Sequence, residues 1–234
     1  MKDKQLAKWA DDNLQLMTKS SIARYENLKH IIAKYKPKTI CEIGTSHGKG
    51  SLVMVEEAIK HHDTIHFTGY DLFEEQTVEN NLKERNGKGM IVGKGRETGK
   101  EKPLPTVESV SRKLNQLRNK LSFKNFEYDL IKGDTNDTLN DGESYDLVFI
   151  DGGHSKDTVI NDYNKLKNSK VVVFDDFIMK FDNNGDLGHP SWGSHHILED
   201  DTKYHILPHW YKKQSKETGV GRAIFQMYIT NEKD

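Results

Sequence analysis

Thr39-Ile40-Cys41-Glu42-Ile43 is a short β-rich run, and Gly44-Thr45-Ser46-His47-Gly48-Lys49-Gly50 follows it at once. The glycines allow a tight turn. A helical pattern over 51–60 comes next, and a second β-rich run, Ile65-His66-Phe67-Thr68-Gly69-Tyr70-Asp71, completes the segment. The crossover is long enough for the two strands to pair in parallel. This stretch therefore predicts a βαβ unit, the building block of open α/β sheets.

The rest of the chain continues the alternation of strands and helices. A Lys- and Gly-rich stretch with little to bury predicts a mobile loop over 83–105, and helices are expected in the segment 1–36. The remaining domain is expected over 37–234. Its further strands are predicted at 126–132, 145–150, 171–174, 205–207 and 221–230, and its further helices at 107–121 and 157–166.

Composition excludes several classes of function. Lys and Arg total 35 against 36 Asp and Glu, which leaves a formal net charge of -1 and no general attraction for nucleic acid. Cys41 is the single cysteine, so the chain forms no internal disulfide. No apolar run approaches the length of a membrane span. We therefore expect a soluble cytoplasmic protein with a small-molecule substrate.

Acidic residues follow or end nearly every predicted strand. In open α/β sheets the ligand binds at the carboxyl ends of the strands. Asp71 comes 21 residues after Gly50, close to the offset of roughly 20 at which an acid meets ribose hydroxyls. The sequence thus predicts a nucleoside at this edge. The acids concerned are Glu42, Asp71, Asp134, Asp151 and Asp175.

The kind of nucleoside is suggested by charge. A dinucleotide places its pyrophosphate against the helix amino terminus, where the carboxylate of Glu42 would repel it. The spacing of Gly44, Gly48 and Gly50 also departs from the usual dinucleotide pattern. S-adenosylmethionine has no phosphate and carries an ammonium and a sulfonium group, so a nearby acid favours it.

Four parts of the sequence carry a family resemblance: Glu42 to Gly48, Gly69 to Glu74, Ile150 to Ser155 with Asp162, and Asp175-Asp176. Together they resemble class I S-adenosylmethionine-dependent methyltransferases, in particular the macrocin O-methyltransferase-like and catechol-type enzymes. The similarity covers about residues 38–178. It implies a Rossmann-like, seven-stranded α/β sheet with helices on both faces and a reversed last hairpin, in which 221–230 is the final antiparallel strand.

The resemblance also implies where the cofactor lies. The turn after the first strand, the end of the second strand and Gly133-Asp134, which lies where the family contacts adenine, would form its site. The expected cofactor-binding residues are Glu42, Gly44, Thr45, Ser46, Gly48, Asp71, Leu72, Asp134 and Asp151.

Asp151 and Asp175 end two predicted strands. If these strands are neighbours, about 4.8 Å apart, the carboxylates converge and repel. Either one retains a proton, or a cation such as Mg²⁺ lies among them. By resemblance the ligands would be Asp151, Asp175 and Asp176. Asp175 and Asp176 point to opposite faces while the strand continues, so both bind only where it has ended.

The catalytic candidates are His154 and Asp151. A metal would chelate the acceptor and lower its pKa, whereas His154 would act as a general base. The first hypothesis is an O-methyltransferase acting on a hydroxyl of a sugar, a polyketide-like or a phenolic molecule. The alternatives are a nicotinamide oxidoreductase or hydroxylase-like protein on the same fold, and a noncatalytic S-adenosylmethionine-binding module. The amino-terminal helices pack on their own domain or on a second subunit, which leaves a homodimer open.

Overall fold

The structure of the chain is a computed structural model. It describes residues 22–84, 103–121, 126–181, 187–188, 194, 197, 204–212 and 221–231. The predicted helices before residue 22 and most of the predicted loop over 83–105 lie outside these ranges.

The described elements alternate along the chain as the sequence predicts. The strands are β1 (Thr39–Ile43), β2 (Ile65–Asp71), β3 (Phe126–Lys132), β4 (Leu147–Ile150), β5 (Val171–Phe181), β6 (Leu187–Gly188), β7 (Tyr204–Lys212) and β8 (Gly221–Thr230). The helices are α1 (Ile22–Tyr35), α2 (Lys49–Ala58), α3 (Val78–Glu84), α4 (Val107–Leu121), α5 (Thr135–Thr138) and α6 (Lys156–Leu166).

Seven strands form one sheet in the order β3-β2-β1-β4-β5-β8-β7, and the two-residue β6 adds to β5. The pairs among β1 to β5 are parallel, whereas β8 runs antiparallel to both β5 and β7. The order reverses direction at β1, where the chain first crosses to β2 and later returns to β4 on the other side. This arrangement confirms the predicted methyltransferase-type sheet and its antiparallel last strand.

Side chains alternate between the two faces of the sheet and build two cores. Phe149 faces the core beneath α1, α2 and α4, while its neighbour Val148 faces the core beneath α6. Leu28, Ile31 and Ile32 of α1 are buried in the first of these cores. Burial on both faces explains why β4 and the first four residues of β5 are continuous apolar runs.

Several elements differ from the predictions, including β5, β7 and α3. The strand expected to end at Phe174 continues to Phe181. The β5–β8 register passes from the pair Phe174–Met227 to the pair Phe177–Phe225, so Asp175 and Asp176 lie opposite the single residue Gln226. This is a β-bulge, which an alternation pattern does not reveal. Helix α3 begins before the predicted loop. Its seven residues carry only two apolar side chains, Val78 and Leu82, and both are exposed, so the pattern is too short to predict a helix.

Among the described helices, none has the length and apolarity required to cross a bilayer.

The turn after β1 depends on a close backbone approach. Gly44 has φ +89°, and a Cβ built on it would lie 2.3 Å from the backbone oxygen of Asp151. No side chain fits in that space, and the left-handed conformation itself disfavours other residues. The first turn of the site therefore requires glycine for two separate reasons.

Gly44→Ala is expected to destabilise the fold by several kcal/mol more than Gly142→Ala. Gly142 has a similar φ of +81° but nothing within 4 Å of its added Cβ, so that variant measures the conformational cost alone, about 1–2 kcal/mol. Urea unfolding of both variants gives the difference. Equal destabilisation would show that the approach to Asp151 is not tight.

Candidate active site

A cavity of about 430 Å³ lies at the carboxyl ends of the central strands. This is the edge at which the sequence predicts a ligand. Seven residues predicted for the site line the cavity: Gly44, Ser46, Asp71, Leu72, Asp134, Asp151 and His154.

Asp71 organises the glycine-rich turn. One carboxylate oxygen accepts the backbone N–H of Ser46 at 2.7 Å, and the other accepts that of Phe73 at 2.5 Å. Ser46 has φ +49°, a left-handed conformation that residues other than glycine rarely adopt. Burial raises the pKa of Asp71, and the two N–H groups oppose that effect. Each oxygen keeps a lone pair for a further donor.

Glu42, Thr45 and Gly48 do not line the cavity. Thr45 is buried, and a Cβ on Gly48 would meet the Val110 side chain of α4 at 2.9 Å. Gly48 has φ +75° and precedes the first residue of α2. These residues shape the turn from beneath rather than facing a ligand.

Glu42 is 1% exposed and accepts a hydrogen bond from the hydroxyl of Ser51 on α2. A Cβ on Gly50 would lie 2.3 Å from the same carboxylate, so Gly50 leaves room for it. Burial raises the pKa of Glu42 to about 8. The raised pKa reduces the negative charge of Glu42, and its side chain does not line the cavity, so the repulsion of pyrophosphate expected from Glu42 is weakened.

Asp134 precedes the short helix α5 and caps it. Its carboxylate accepts the backbone N–H of Asn136 at 2.9 Å and the side-chain amide of Asn136 at 2.8 Å. Gly133, with φ +137°, donates its N–H to the carbonyl of Asp71 at 3.0 Å. The Gly133-Asp134 turn is thus tied to the end of β2, which brings it to the same cavity.

Asp151 and Asp175 converge as predicted, and Arg24 of α1 lies between them. The Arg24 guanidinium donates to Asp151 at 2.6 Å and to Asp175 at 2.8 Å. The second oxygen of Asp175 accepts the side-chain amide of Gln226 at 3.0 Å. Among the residues with described side chains, no three His, Cys, Asp or Glu groups are placed to hold a metal ion. The side chain of Asp176 lies outside that set.

His154 lies on the loop between β4 and α6 and faces the cavity. Glu84, the last residue of α3, holds the start of α6: it accepts the Ser155 N–H at 2.9 Å and the Thr158 hydroxyl at 2.7 Å. Because Ser155 follows His154 directly, this contact orients the loop that carries the histidine.

Several residues that line the cavity were not predicted as site residues, among them Arg24, Glu84 and Asp162. Arg24 lies in a segment without any motif, and Glu84 falls in the stretch predicted to be a loop. Asp162 appeared only as part of the family resemblance; it is fully buried on α6, where burial raises its pKa to about 6. The separation of Asp162 from Asp151 along the chain does not indicate that they share a site. Only the fold brings the two residues to one cavity.

The model of a family described as "Methyltransferase domain" matches residues 41–177, more than half of the chain. The chain belongs to this methyltransferase family. The match spans β1 through the bulge of β5 and so contains most of the cavity lining. It confirms the resemblance to class I methyltransferases.

Solved structures support the fold of this methyltransferase. The O-methyltransferase TomG from Streptomyces achromogenes, involved in tomaymycin synthesis and solved in complex with SAM, is 16% identical with a TM-score of 0.52; the match covers 99% of this chain and 91% of TomG. The calicheamicin methyltransferase CalS11 is 14% identical with a TM-score of 0.56, covering 96% and 84%. No curated protein sequence matches significantly.

The cavity of the methyltransferase is acidic. Among the described residues that line it, five are acids, Asp71, Glu84, Asp134, Asp151 and Asp162, whereas Arg24 and Lys83 are the permanent cations. Like charges in one concave site create a potential that attracts the opposite charge. A cationic ligand is therefore favoured over a phosphate-bearing one.

Glu42→Gln is expected to become more stable than the unmodified protein as pH rises. The raised pKa means that Glu42 contributes stability that is fully present below its unfolded pKa and is lost as pH rises through about 8. Glutamine does not ionise and retains a partner for Ser51. The difference in Tm, variant minus unmodified, should therefore grow between about pH 5 and about pH 8.5.

The matched control for this prediction is Glu26→Gln, because Glu26 is an exposed acid on α1. A difference in Tm for Glu42→Gln that stays constant over the same pH range would contradict a protonated, buried Glu42.

Proposed function

We propose that the protein is an S-adenosylmethionine-dependent O-methyltransferase that acts on a hydroxyl of a small molecule, such as a sugar, a polyketide-like or a phenolic compound. The observation that carries the proposal is the acidic cavity at the switch point of the sheet, with the Asp71 carboxylate held at its wall by two backbone N–H groups. This combination suits a nucleoside that bears positive charge and no phosphate.

The residues at the cavity fit the cofactor. Asp71 retains lone pairs that can accept ribose hydroxyls. Gly44, Ser46, Leu72 and Asp134 line the cavity, and we expect the turn backbone and the side chains of Leu72 and Asp134 to contact the nucleoside. When bound, S-adenosylmethionine supplies an electrophilic methyl group on a positively charged sulfur. The neighbour TomG was solved in complex with SAM, which is consistent with this assignment.

The acceptor oxygen must lose its proton to become a nucleophile. His154 faces the cavity beside Asp151, at the end of a loop that Glu84 holds in place. A positioned imidazole is the commonest general base in proteins. We therefore assign proton removal to His154 and the orientation of this edge to Asp151. We propose no step that uses a metal ion, because Arg24 already binds Asp151 and Asp175, the two described carboxylates that would hold it.

The alternatives are less well supported. A nicotinamide oxidoreductase needs a place for pyrophosphate, and the acidic cavity of a chain from a methyltransferase family does not favour one. A noncatalytic module would bind S-adenosylmethionine without methylating any acceptor. The acceptor assay below separates that alternative from an enzyme.

Asp71→Ala is expected to weaken S-adenosylmethionine binding at least about tenfold, because it removes acceptors of charge-assisted hydrogen bonds. Isothermal titration calorimetry measures the affinity. Glu75→Ala, which removes a nearby exposed acid paired with Lys132, is the control and should bind as the unmodified protein does. Equal affinity in Asp71→Ala, or stronger binding of NAD than of S-adenosylmethionine, would overturn the cofactor assignment.

His154→Gln is expected to lower methyl transfer by about 100-fold while leaving S-adenosylmethionine affinity unchanged, since the histidine acts on the acceptor. Release of S-adenosylhomocysteine over a panel of sugars, phenols and polyketide-like compounds measures turnover. The control is His30→Gln, a histidine exposed on α1. Full activity in His154→Gln would remove His154 from the mechanism, and binding without turnover of any acceptor would favour the noncatalytic module.

A further inference from the structure

Arg24 links β4 and β5, because it binds both Asp151, which follows β4, and Asp175 of β5. Arg24 lies in the first turns of α1, and its two terminal nitrogens divide between the partners: Nη2 donates to Asp151 at 2.6 Å and Nη1 to Asp175 at 2.8 Å. The Tyr25 ring lies beneath the guanidinium, with its centroid 5.0 Å from the central carbon. An aromatic face adds to the attraction for a cation at this point.

The cluster is poorly accessible to solvent. The side chains are 22% exposed for Arg24, 15% for Asp151 and 1% for Asp175. Two carboxylates this close require a compensating charge, because burial weakens solvation and strengthens repulsion. The arginine supplies it, since a guanidinium stays protonated at any pH at which a protein is folded.

The bonds of Asp175 leave little room for a metal ion. One oxygen accepts from Arg24 and the other from the amide of Gln226. The β-bulge of β5 creates this second contact, because it places Asp175 and Asp176 opposite Gln226 alone. An ion such as Mg²⁺ requires several oxygen ligands in close to octahedral geometry. It would have to displace the guanidinium to reach both carboxylates.

We propose that Arg24 takes the place of a divalent cation at this edge, so that the acidic pair is neutralised by the protein itself and the acceptor is bound without a metal. The positive charge at this edge then comes from the Arg24 side chain of α1 and not from a metal ion bound from solution. The proposal rests on the proposed function for its consequence in catalysis, but the occupancy of the acidic pair by Arg24 stands independently of the cofactor.

The consequence for the reaction concerns the acceptor proton. A guanidinium stabilises negative charge on a nearby oxygen but cannot take up a proton. When the acceptor O–H bond breaks and the O–CH₃ bond forms, the proton passes to His154, and the bond between the methyl group and sulfur breaks with its electron pair left on sulfur. Arg24 is thereby a positioning residue, which holds Asp151 and Asp175 and places positive charge at the cavity wall.

The test is a titration of the purified protein with Mn²⁺, in which binding is measured as the loss of the free-ion signal in electron paramagnetic resonance. The unmodified protein should show no site that depends on Asp175. Arg24→Ala exposes the acidic pair and should bind Mn²⁺ at least about tenfold more tightly, because the buried carboxylates then lack a counter-charge. Mn²⁺ should also raise the Tm of this variant alone.

Matched variants make the result specific. Lys29→Ala removes an exposed cation from the same helix, which pairs with Glu26, and should behave as the unmodified protein. Arg24→Ala combined with Asp175→Asn should lose the gained Mn²⁺ site. Arg24→Gln keeps a long polar side chain and serves as the second variant if Arg24→Ala does not fold.

The outcomes distinguish the two proposals. Mn²⁺ binding by the unmodified protein that Asp175→Asn abolishes would overturn the metal replacement, whether or not the Arg24 variants fold. A folded Arg24 variant without a gain in Mn²⁺ binding would overturn it as well. Because the titration contains no S-adenosylmethionine, failure of the cofactor assignment would leave this result unaffected.

Discussion

The backbone contacts that hold the carboxyl ends of β1, β2 and β4 together are the constraint on which the site depends. The Gly44 N–H donates to the Tyr70 carbonyl at 2.8 Å, and the Asp151 N–H donates to the Ile43 carbonyl at 2.8 Å. These bonds draw the turn against the end of β4 until no side chain fits at Gly44. The acids that follow the strands, and the loop bearing His154, therefore converge on one cavity.

The acids that converge at this edge would repel one another, and the structure reduces that repulsion in two ways. Glu42 does not face the cavity. Burial raises its pKa, and its carboxyl group accepts a hydrogen bond from the Ser51 hydroxyl. Asp151 and Asp175 remain at the edge and receive the charge of Arg24. The remaining acids leave the cavity with a negative character that suits a cationic nucleoside. The charge presented at this edge therefore depends on where each carboxylate lies and not on how many carboxylates there are.

Much of the fold could be predicted because its signals are local. The apolar run over 147–150, the glycine-rich turn and the helix over 107–121 each depend on neighbours in the chain, and the structure has them where the patterns indicate. Helix α3 was missed because its seven residues carry only two apolar side chains, too few to establish a helical period. The continuation of β5 was missed since the bulge at Asp175 interrupts the alternation that marks a strand.

By itself, the sequence determined the order of most strands and helices, the ligand-binding edge and the acids that follow the strands, because hydrophobic period and turn chemistry are properties of adjacent residues. Only the tertiary structure decided which acids face the cavity. It turned Glu42 away, brought Glu84 and Asp162 in, and placed Arg24 between Asp151 and Asp175, which are 127 and 151 residues away along the chain. Such pairings depend on packing between distant segments, and no local pattern records them.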